Sequence, residues 1–435
     1  MPRPPFRVGL LGCGHVGSAL ARLLATDAGR IFARTGLELE LAAVAVRSLA
    51  REREVDLPAG VLTTDARAVV SEPDIDLIVE VIGGIEPARS LVLDALKSGK
   101  PVVTANKELL ANCGSELFEA AANAGVDLLF EASVAGGIPL IRPLRESLAG
   151  ERIRRVMGIV NGTTNFILTR MTEASASYHD ALAEAQGLGY AERDPTADVE
   201  GFDAAAKAAI LANVAFGVRV VAGDVYREGI DAVTPEDIAV ARRLGYTIKL
   251  LAIVDADEVD GTTSVAVRVH PAMVPGNHPL ASVRDSFNAV FIEGEALGDL
   301  MLLGRGAGGM PTASAVLGDL LDAAHNLSVG GAGRTVALRQ AILRPIDDLT
   351  SAYYLSLQVA DRPGVLHAVS GVLGRHQVSV RSMEQEASGD ADGDGARLVF
   401  VTHPSFERNV QACLHELRQL DVVHRIGGLI RVIGP

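Results

Sequence analysis

Apolar positions along the chain change their period three times. From residue 6 to about 138, short continuous apolar runs alternate with stretches of helical spacing. FRVGLL (6–11), ELELAAVAV (38–46), DLIVEVI (76–82), PVVT (101–104) and VDLLFE (126–131) predict strands, and 16–25 predicts the first helix. Unbroken apolar strands belong to sheets covered on both faces, so this half predicts a parallel, doubly wound α/β sheet.

The middle, 139–304, has another texture: VMGIVN (156–161), an Ala-rich helix at 203–215 and TSVAVRV (263–269) predict an α+β unit. Helical spacing at 311–325 predicts a return to the first unit, which residues 305–345 would complete. The Gly cluster at 329–333 and Pro345 predict a linker over 326–350. The tail reads strand 353–360, helix 364–375, strand 377–386, strand 396–402, helix 405–418, strand 422–432, which is the ferredoxin-like order. ASGDADGDG (387–395) predicts a hairpin tip between its middle strands. The expected domains are therefore 1–138, 139–304 and 351–435.

Composition narrows the function. Apolar residues make up 48% of the 435, enough for sizeable cores. With 40 Lys+Arg against 54 Asp+Glu, the net charge is −14, which argues against nucleic acid or an anionic membrane as partner. No apolar run reaches the ~18 residues of a membrane span, and the N-terminus has no leader pattern. Cys13, Cys113 and Cys413 are far apart and the ten histidines are scattered, so the reading is a cytoplasmic protein without a transition-metal site.

Gly12-Cys13-Gly14-His15-Val16-Gly17 is a GxGxxG between a strand and a helix. The first glycine allows a tight turn, the second lets a pyrophosphate approach the backbone, and the third lets helix and strand pack closely. NAD sites place an acid at the end of the second strand; here Arg47 follows it, with Arg51 and Arg53 beyond, which favours the 2′-phosphate of NADP(H) over NAD(H). Thr104-Ala105-Asn106-Lys107 follows a later strand, where ligands of such sheets gather.

In GYAERDPTADVEGFDAAAK (189–207), Asp203 and Lys207 are i,i+4 on an otherwise apolar helix face, and so point inward. A lysine steered by a carboxylate can protonate a developing alkoxide, as carbonyl reduction requires. Glu192 and Asp198 are available for a substrate ammonium. Only five of the 40 basic residues are Lys, yet Lys occupies both 107 and 207. Arginine, which would not release a proton, has not replaced it there.

The glycine loop, TANK (104–107), EASVAGGIP (131–139), NGTTNFIL (161–168), the 189–207 stretch and GRGAGGMPTASAV (304–316) together resemble the homoserine dehydrogenase family. That resemblance implies a Rossmann-type nucleotide-binding domain, an α+β catalytic and dimerisation domain, and reversible NAD(P)-dependent interconversion of L-homoserine and L-aspartate 4-semialdehyde. It implies Lys207 as proton donor, Glu192 as ammonium ligand, Lys107 at cofactor and substrate, Asp198 and Asp203 as positioning acids, and Gly306 near the cofactor. It further implies a monovalent cation, usually sodium, at Glu131, Val134, Gly136 and Ile138. Main-chain carbonyls with one carboxylate would suit that ion.

In the tail, Gly364 of Asp361-Arg362-Pro363-Gly364 would let a carboxylate reach N–H groups at a helix start. The motif and strand order resemble an ACT domain, implying an amino-acid effector, threonine, near Asp361 and Gly364. A tail that only oligomerises is the alternative. The expected assembly is a homodimer or homotetramer, and the expected protein is monofunctional. Two other readings fit the fold: another ACT-tailed Rossmann dehydrogenase, which would need a catalytic His–Arg pair, and a non-catalytic nucleotide and amino-acid sensor.

Overall fold

The computed structural model describes residues 4–259, 261–333, 336–387 and 395–434. Residues 388–394 of the expected hairpin tip lie outside it.

The first unit is an all-parallel sheet in the order β3-β2-β1-β4-β5-β6. Its elements are β1 Phe6–Leu11, α1 His15–Thr26, α2 Ala28–Thr35, β2 Leu39–Ala45, β3 Leu62–Thr63, α3 Ala66–Ser71, β4 Leu77–Glu80, α4 Ala88–Lys97, β5 Val102–Thr104, α5 Lys107–Ala124 and β6 Leu128–Leu129. Val8, Leu10, Leu77, Ile78, Val79, Val102 and Val103 are wholly buried, because helices cover both faces. The chain runs outward through β1, β2 and β3, then returns to β4 on the other side of β1. That reversal opens a crevice at the carboxyl ends of β1 and β4. Beyond β6 the strand ends sooner than its apolar run suggests. The Glu131 carboxylate accepts N–H bonds from Leu140 (2.5 Å), Ile141 (2.8 Å) and Arg142 (2.8 Å), folding the chain into α6, Ile141–Arg145.

The second unit comprises β7 Ile153–Ile159, α7 Gly162–Ala174, α8 Tyr178–Gly187, α9 Thr196–Val199, α10 Phe202–Phe216, β8 Tyr226–Arg227, α11 Pro235–Arg243, and the strands β9 Tyr246–Val259, β10 Thr262–Pro275, β11 Phe287–Gly294 and β12 Gly298–Arg305. The strands lie in the order β12-β11-β7-β9-β10. Six alanines of α10 (204, 205, 206, 208, 209 and 212) are buried. Their small side chains let the helix lie close to both the sheet and α5, joining the two units. Helix α12, Gly309–Ser328, returns to the first unit and buries Ala313, Val316, Leu320 and Ala324 with Val8, Leu10 and Leu20.

The stretch after α12 is not a free linker. Arg339 bridges Val218, and β13 (Ile342–Leu343) pairs with β10 at Ser264 and Val265. The second edge of β10 is thus covered in succession by β13, β8 and the last strand of the tail. That tail has the βαββαβ order: β14 Thr350–Ala360, α13 Val365–Arg375, β15 Val380–Ala387, β16 Gly395–Thr402, the short β17 Ser405–Phe406, α14 Glu407–Leu417 and β18 Val423–Val432. Its strand order, β18-β14-β16-β15, continues the second unit's sheet through β10 and β18.

Candidate active site

Two helix starts converge on the crevice. Gly12 sits at φ 101°, and a Cβ there would lie 2.8 Å from Val81 O. A Cβ on Gly17 would lie 2.3 Å from Gly12 O, so only glycine permits this packing. Nothing lies within 4 Å of the Cβ position of Gly14, which leaves its backbone open. Helix α1 begins at His15 and α12 at Gly309, neither with a side-chain cap nor an acid in its first turn. Free N–H groups and the positive ends of two helices therefore face one cavity of ≈ 650 Å³, lined by His15, Val16, Ala19, Arg22, Glu54 and Met310 among others. That is an anion site by construction. Arg47, just beyond β2, is exposed, whereas Arg53 is spent on the backbone carbonyls of Ser48 and Arg51.

A buried charge cluster gathers where α5, which follows β5, meets α10. Lys207 Nζ donates to Asp203 Oδ2 and to Val160 O, both at 2.7 Å. Lys107, the first residue of α5, forms an ion pair with the other Asp203 oxygen. Asn161 Nδ2 spans two carboxylates, Asp198 Oδ1 at 2.7 Å and Asp203 Oδ2 at 2.9 Å. Burial works against ionisation of Asp203, yet Lys207 and Lys107 hold it well below the usual carboxylate range. Burial pushes Lys207 below the ordinary lysine range, with Lys107 adding to the push and Asp203 resisting it. Lys107 is raised: burial pulls it down, but Asp203 outweighs that. Burial also raises Asp198. One carboxylate thus serves two ammonium groups, whose proton affinities are shifted in opposite directions.

Glu192 is exposed on the turn between α8 and α9, and no hydrogen bond or ion pair among the described residues ties its carboxylate to this cluster. The turn is tethered by Thr163 Oγ1 to Tyr190 O (2.7 Å) and by Gln186 Nε2 to Glu192 O (3.1 Å). The Thr104 hydroxyl is committed to Glu80, donating to Oε2 at 2.6 Å.

Asn161 and Glu80 are the residues sequence reasoning missed. Asn161 reads as an ordinary N-cap, which it also is, accepting from Thr164 N–H at 2.9 Å. Glu80 is wholly buried at the end of β4 and accepts from Ile82 N–H, Thr104 and Asn106, tying the β4 loop to the one that carries Lys107. Burial holds its carboxyl above the usual range.

The 131–138 loop is stitched to the second glycine loop by Gly136 N–H to Gly306 O (3.0 Å) and Gly137 N–H to Arg305 O (2.9 Å). A Cβ on Gly306 would collide with Asn288 at 2.0 Å. The Glu131 carboxylate, expected to join a cation's ligands, is instead turned to the three N–H groups that start α6. Among the described residues no cluster of three His, Cys, Asp or Glu could hold a metal. In the tail, Gly364 (φ 91°) is the N-cap of α13 and is exposed, as is Asp361.

A doubly wound sheet with open helix starts at its switch point, together with a buried Lys107–Asp203–Lys207 cluster, is the build of a nucleotide-dependent oxidoreductase. Comparison with known proteins makes this specific. Residues 139–321 match the family model described as homoserine dehydrogenase, residues 12–131 the one described as homoserine dehydrogenase, NAD binding domain, and residues 353–422 that of the ACT domain. Homoserine dehydrogenase of Mycobacterium tuberculosis (strain H37Rv) is 50% identical over 99% of this chain and 98% of its own. That of Bacillus subtilis is 43% identical over 99% and 98%. The crystal structure of a homoserine dehydrogenase from Thiobacillus denitrificans superposes with a TM-score of 0.90 at 40% identity, covering 99% of this chain and 98% of that one. A hyperthermophilic archaeal homoserine dehydrogenase in complex with NADPH gives 0.63 at 31%, covering 77% and 100%. The chain belongs to the homoserine dehydrogenase family, with an ACT domain at its C-terminus.

Proposed function

We propose that the protein interconverts L-homoserine and L-aspartate 4-semialdehyde reversibly, with NADP(H) preferred over NAD(H), in threonine and methionine biosynthesis in the cytoplasm. The observation that carries this reading is the shared carboxylate: Asp203 holds Lys107 and Lys207 together beside Asp198. A nicotinamide nucleotide in the cleft gives or takes the hydride. The protein's part is the proton. Lys207 donates it to the carbonyl oxygen in reduction and recovers it from the hydroxyl in oxidation, its lowered proton affinity suiting both directions. Lys107 orients the reacting group from the nucleotide side, while Glu192 and Asp198 take the substrate ammonium. Gly12, Gly14, His15, Val16, Gly17, Thr104 and Gly306 shape the nucleotide cleft, and Arg47, exposed with no acid opposite, reads the 2′-phosphate.

A sodium ion would rest on the main-chain carbonyls of Glu131, Val134, Gly136 and Ile138. Hard oxygen donors in a tight turn fit a hard cation, and the Glu131 carboxylate keeps its role as a helix cap. The tail would bind threonine at the Asp361–Gly364 turn, where Gly364 leaves open space before the first turn of α13, in a homodimer or homotetramer. The domains follow as 1–138, 139–304 and 351–435, with α12 returning to the first. Homoserine-dependent reduction of NADP⁺ and NAD⁺ by the purified protein, with and without threonine, tests the whole reading. Absence of turnover on homoserine would overturn it. A threonine response unchanged in Gly364→Asp would overturn the effector site alone.

A further inference from the structure

The tail meets the second unit through a buried charge cluster. Arg431, on β18, is 2% exposed. Its Nε and Nη2 donate to the two Glu407 oxygens at 2.8 Å, and its Nη1 donates to both Glu228 oxygens at 3.0 Å. Tyr353 Oη donates to Glu407 at 2.7 Å, and the Tyr226 ring lies 5.4 Å from the guanidinium carbon. Glu407 and Tyr353 belong to the tail, while Tyr226 and Glu228 belong to β8 and the residue after it. A buried ion cluster gives little net stability over an apolar replacement, so fixing relative position is its more distinctive contribution.

The position it fixes leads to the active site. Beyond Glu228, Gly229 is pressed against the turn that follows α9. A Cβ on Gly229 would lie 2.4 Å from Val199 O and 2.8 Å from Glu200 Cα. Ile230 N–H donates to the same Val199 O at 2.9 Å. The Arg227 guanidinium carbon lies 3.5 Å from the centroid of the Phe202 ring. Residues 199–202 join Asp198 to Asp203, and Gly201 N–H donates to Asp198 O at 3.0 Å. The contact is backbone on backbone, so a shift of 228–230 moves the turn directly. We infer that Arg431 is a positioning residue for the substrate-holding acids: by fixing Glu228 it sets where segment 228–230 presses the 199–203 turn, and hence the spacing of Asp198 and Asp203. The C-terminal domain is then a structural support of the catalytic centre.

The test uses full-length Glu228→Gln, Arg431→Met and Arg431→Lys, with KM for homoserine, KM for the nucleotide and the melting temperature measured for each. Mutations along such contact networks change coupling enough to move an affinity about threefold to thirtyfold. Glu228→Gln and Arg431→Met should raise the homoserine KM within that range and leave the nucleotide KM unchanged, and Arg431→Lys, which keeps the charge but not the fork, should recover part of the loss. Should Arg431→Met fail to fold, Glu228→Gln carries the test, its carboxylate being 35% exposed. A lowered melting temperature with an unchanged homoserine KM in Glu228→Gln would overturn the inference. Equal rises in both KM values would overturn it too, since general loosening does not distinguish substrate from nucleotide.

Discussion

Replacing Lys207 by methionine removes one ammonium from a site that holds two, at little change in volume. The lost contacts are those of Nζ with Asp203 Oδ2 and Val160 O. Asp203 keeps Lys107 and Asn161 as partners, so no buried carboxylate is stranded. The Val160 carbonyl loses this donor, which costs about 1–3 kcal/mol of stability for a buried acceptor. The chemical loss is larger. A general acid contributes about 10²–10⁴ in rate, equivalent to roughly 2.7–5.5 kcal/mol of barrier. Turnover should therefore fall by at least a hundredfold while NADPH affinity, followed by nucleotide fluorescence, stays near wild type. Lys207→Arg should fail nearly as badly, because a guanidinium keeps the charge and not the proton. The wild-type pH profile supplies an internal check. Homoserine oxidation needs Lys207 neutral and should rise with pH through its lowered pKa, below the ordinary lysine value of about 10.4, while semialdehyde reduction falls over the same interval. More than a tenth of wild-type turnover in Lys207→Met would refute the proton-transfer role.

Asn161→Ala should lower kcat/KM for homoserine about 10- to 100-fold, the value of one or two hydrogen bonds to charged groups; steady-state kinetics within twofold of wild type would contradict it. Arg47→Asp should shift selectivity from NADP⁺ towards NAD⁺ by roughly tenfold or more, and an unchanged ratio of kcat/KM values would pass that role to Arg51. Burial pushes the Asp319 carboxyl up to about 7, although it accepts from Glu131 N–H at 2.8 Å and Arg142 at 3.0 Å. Its folded pKa lies above the unfolded value of about 3.9, so the folded state binds the extra proton and stability falls as pH rises from about 4 to 7. Asp319→Asn should flatten that part of the melting-temperature profile, and a slope equal to wild type would refute the assignment.

The strands of the first unit were legible because continuous apolar runs bounded by glycine carry a local signal. The Asp203–Lys207 pair was legible for the same reason, as two charges one turn apart on an alanine face. What escaped depends on contacts between distant segments. Nothing local says that Lys107, from another domain, completes the same carboxylate. The glycine cluster at 329–333 reads as a linker, yet the residues beyond it lie along β10, since main-chain pairing leaves little side-chain signature. Glu131 is offered to a cation by the family resemblance alone, and nothing local shows that its carboxylate accepts the N–H groups of residues 140–142. Nothing in the tail's strand pattern marks Arg431, whose partners Glu407 and Glu228 come from distant segments.

The cavity at the carboxyl ends of β1 and β4 is walled by α1 and by α12, which lie at opposite ends of the first two units in sequence. During synthesis the glycine loop emerges early, but its facing helix follows only after the whole catalytic unit has been made. At ribosomal rates of about 5–20 residues per second, that interval is roughly 15–60 s for the intervening 300 residues or so. Through it the face of β1 that carries Val8 and Leu10 has the side chains of α1 and α2 for cover and lacks those of α12. A nascent chain therefore has one wall of this cavity, and the half of the helix-start cradle that goes with it, until residue 328 has cleared the exit tunnel.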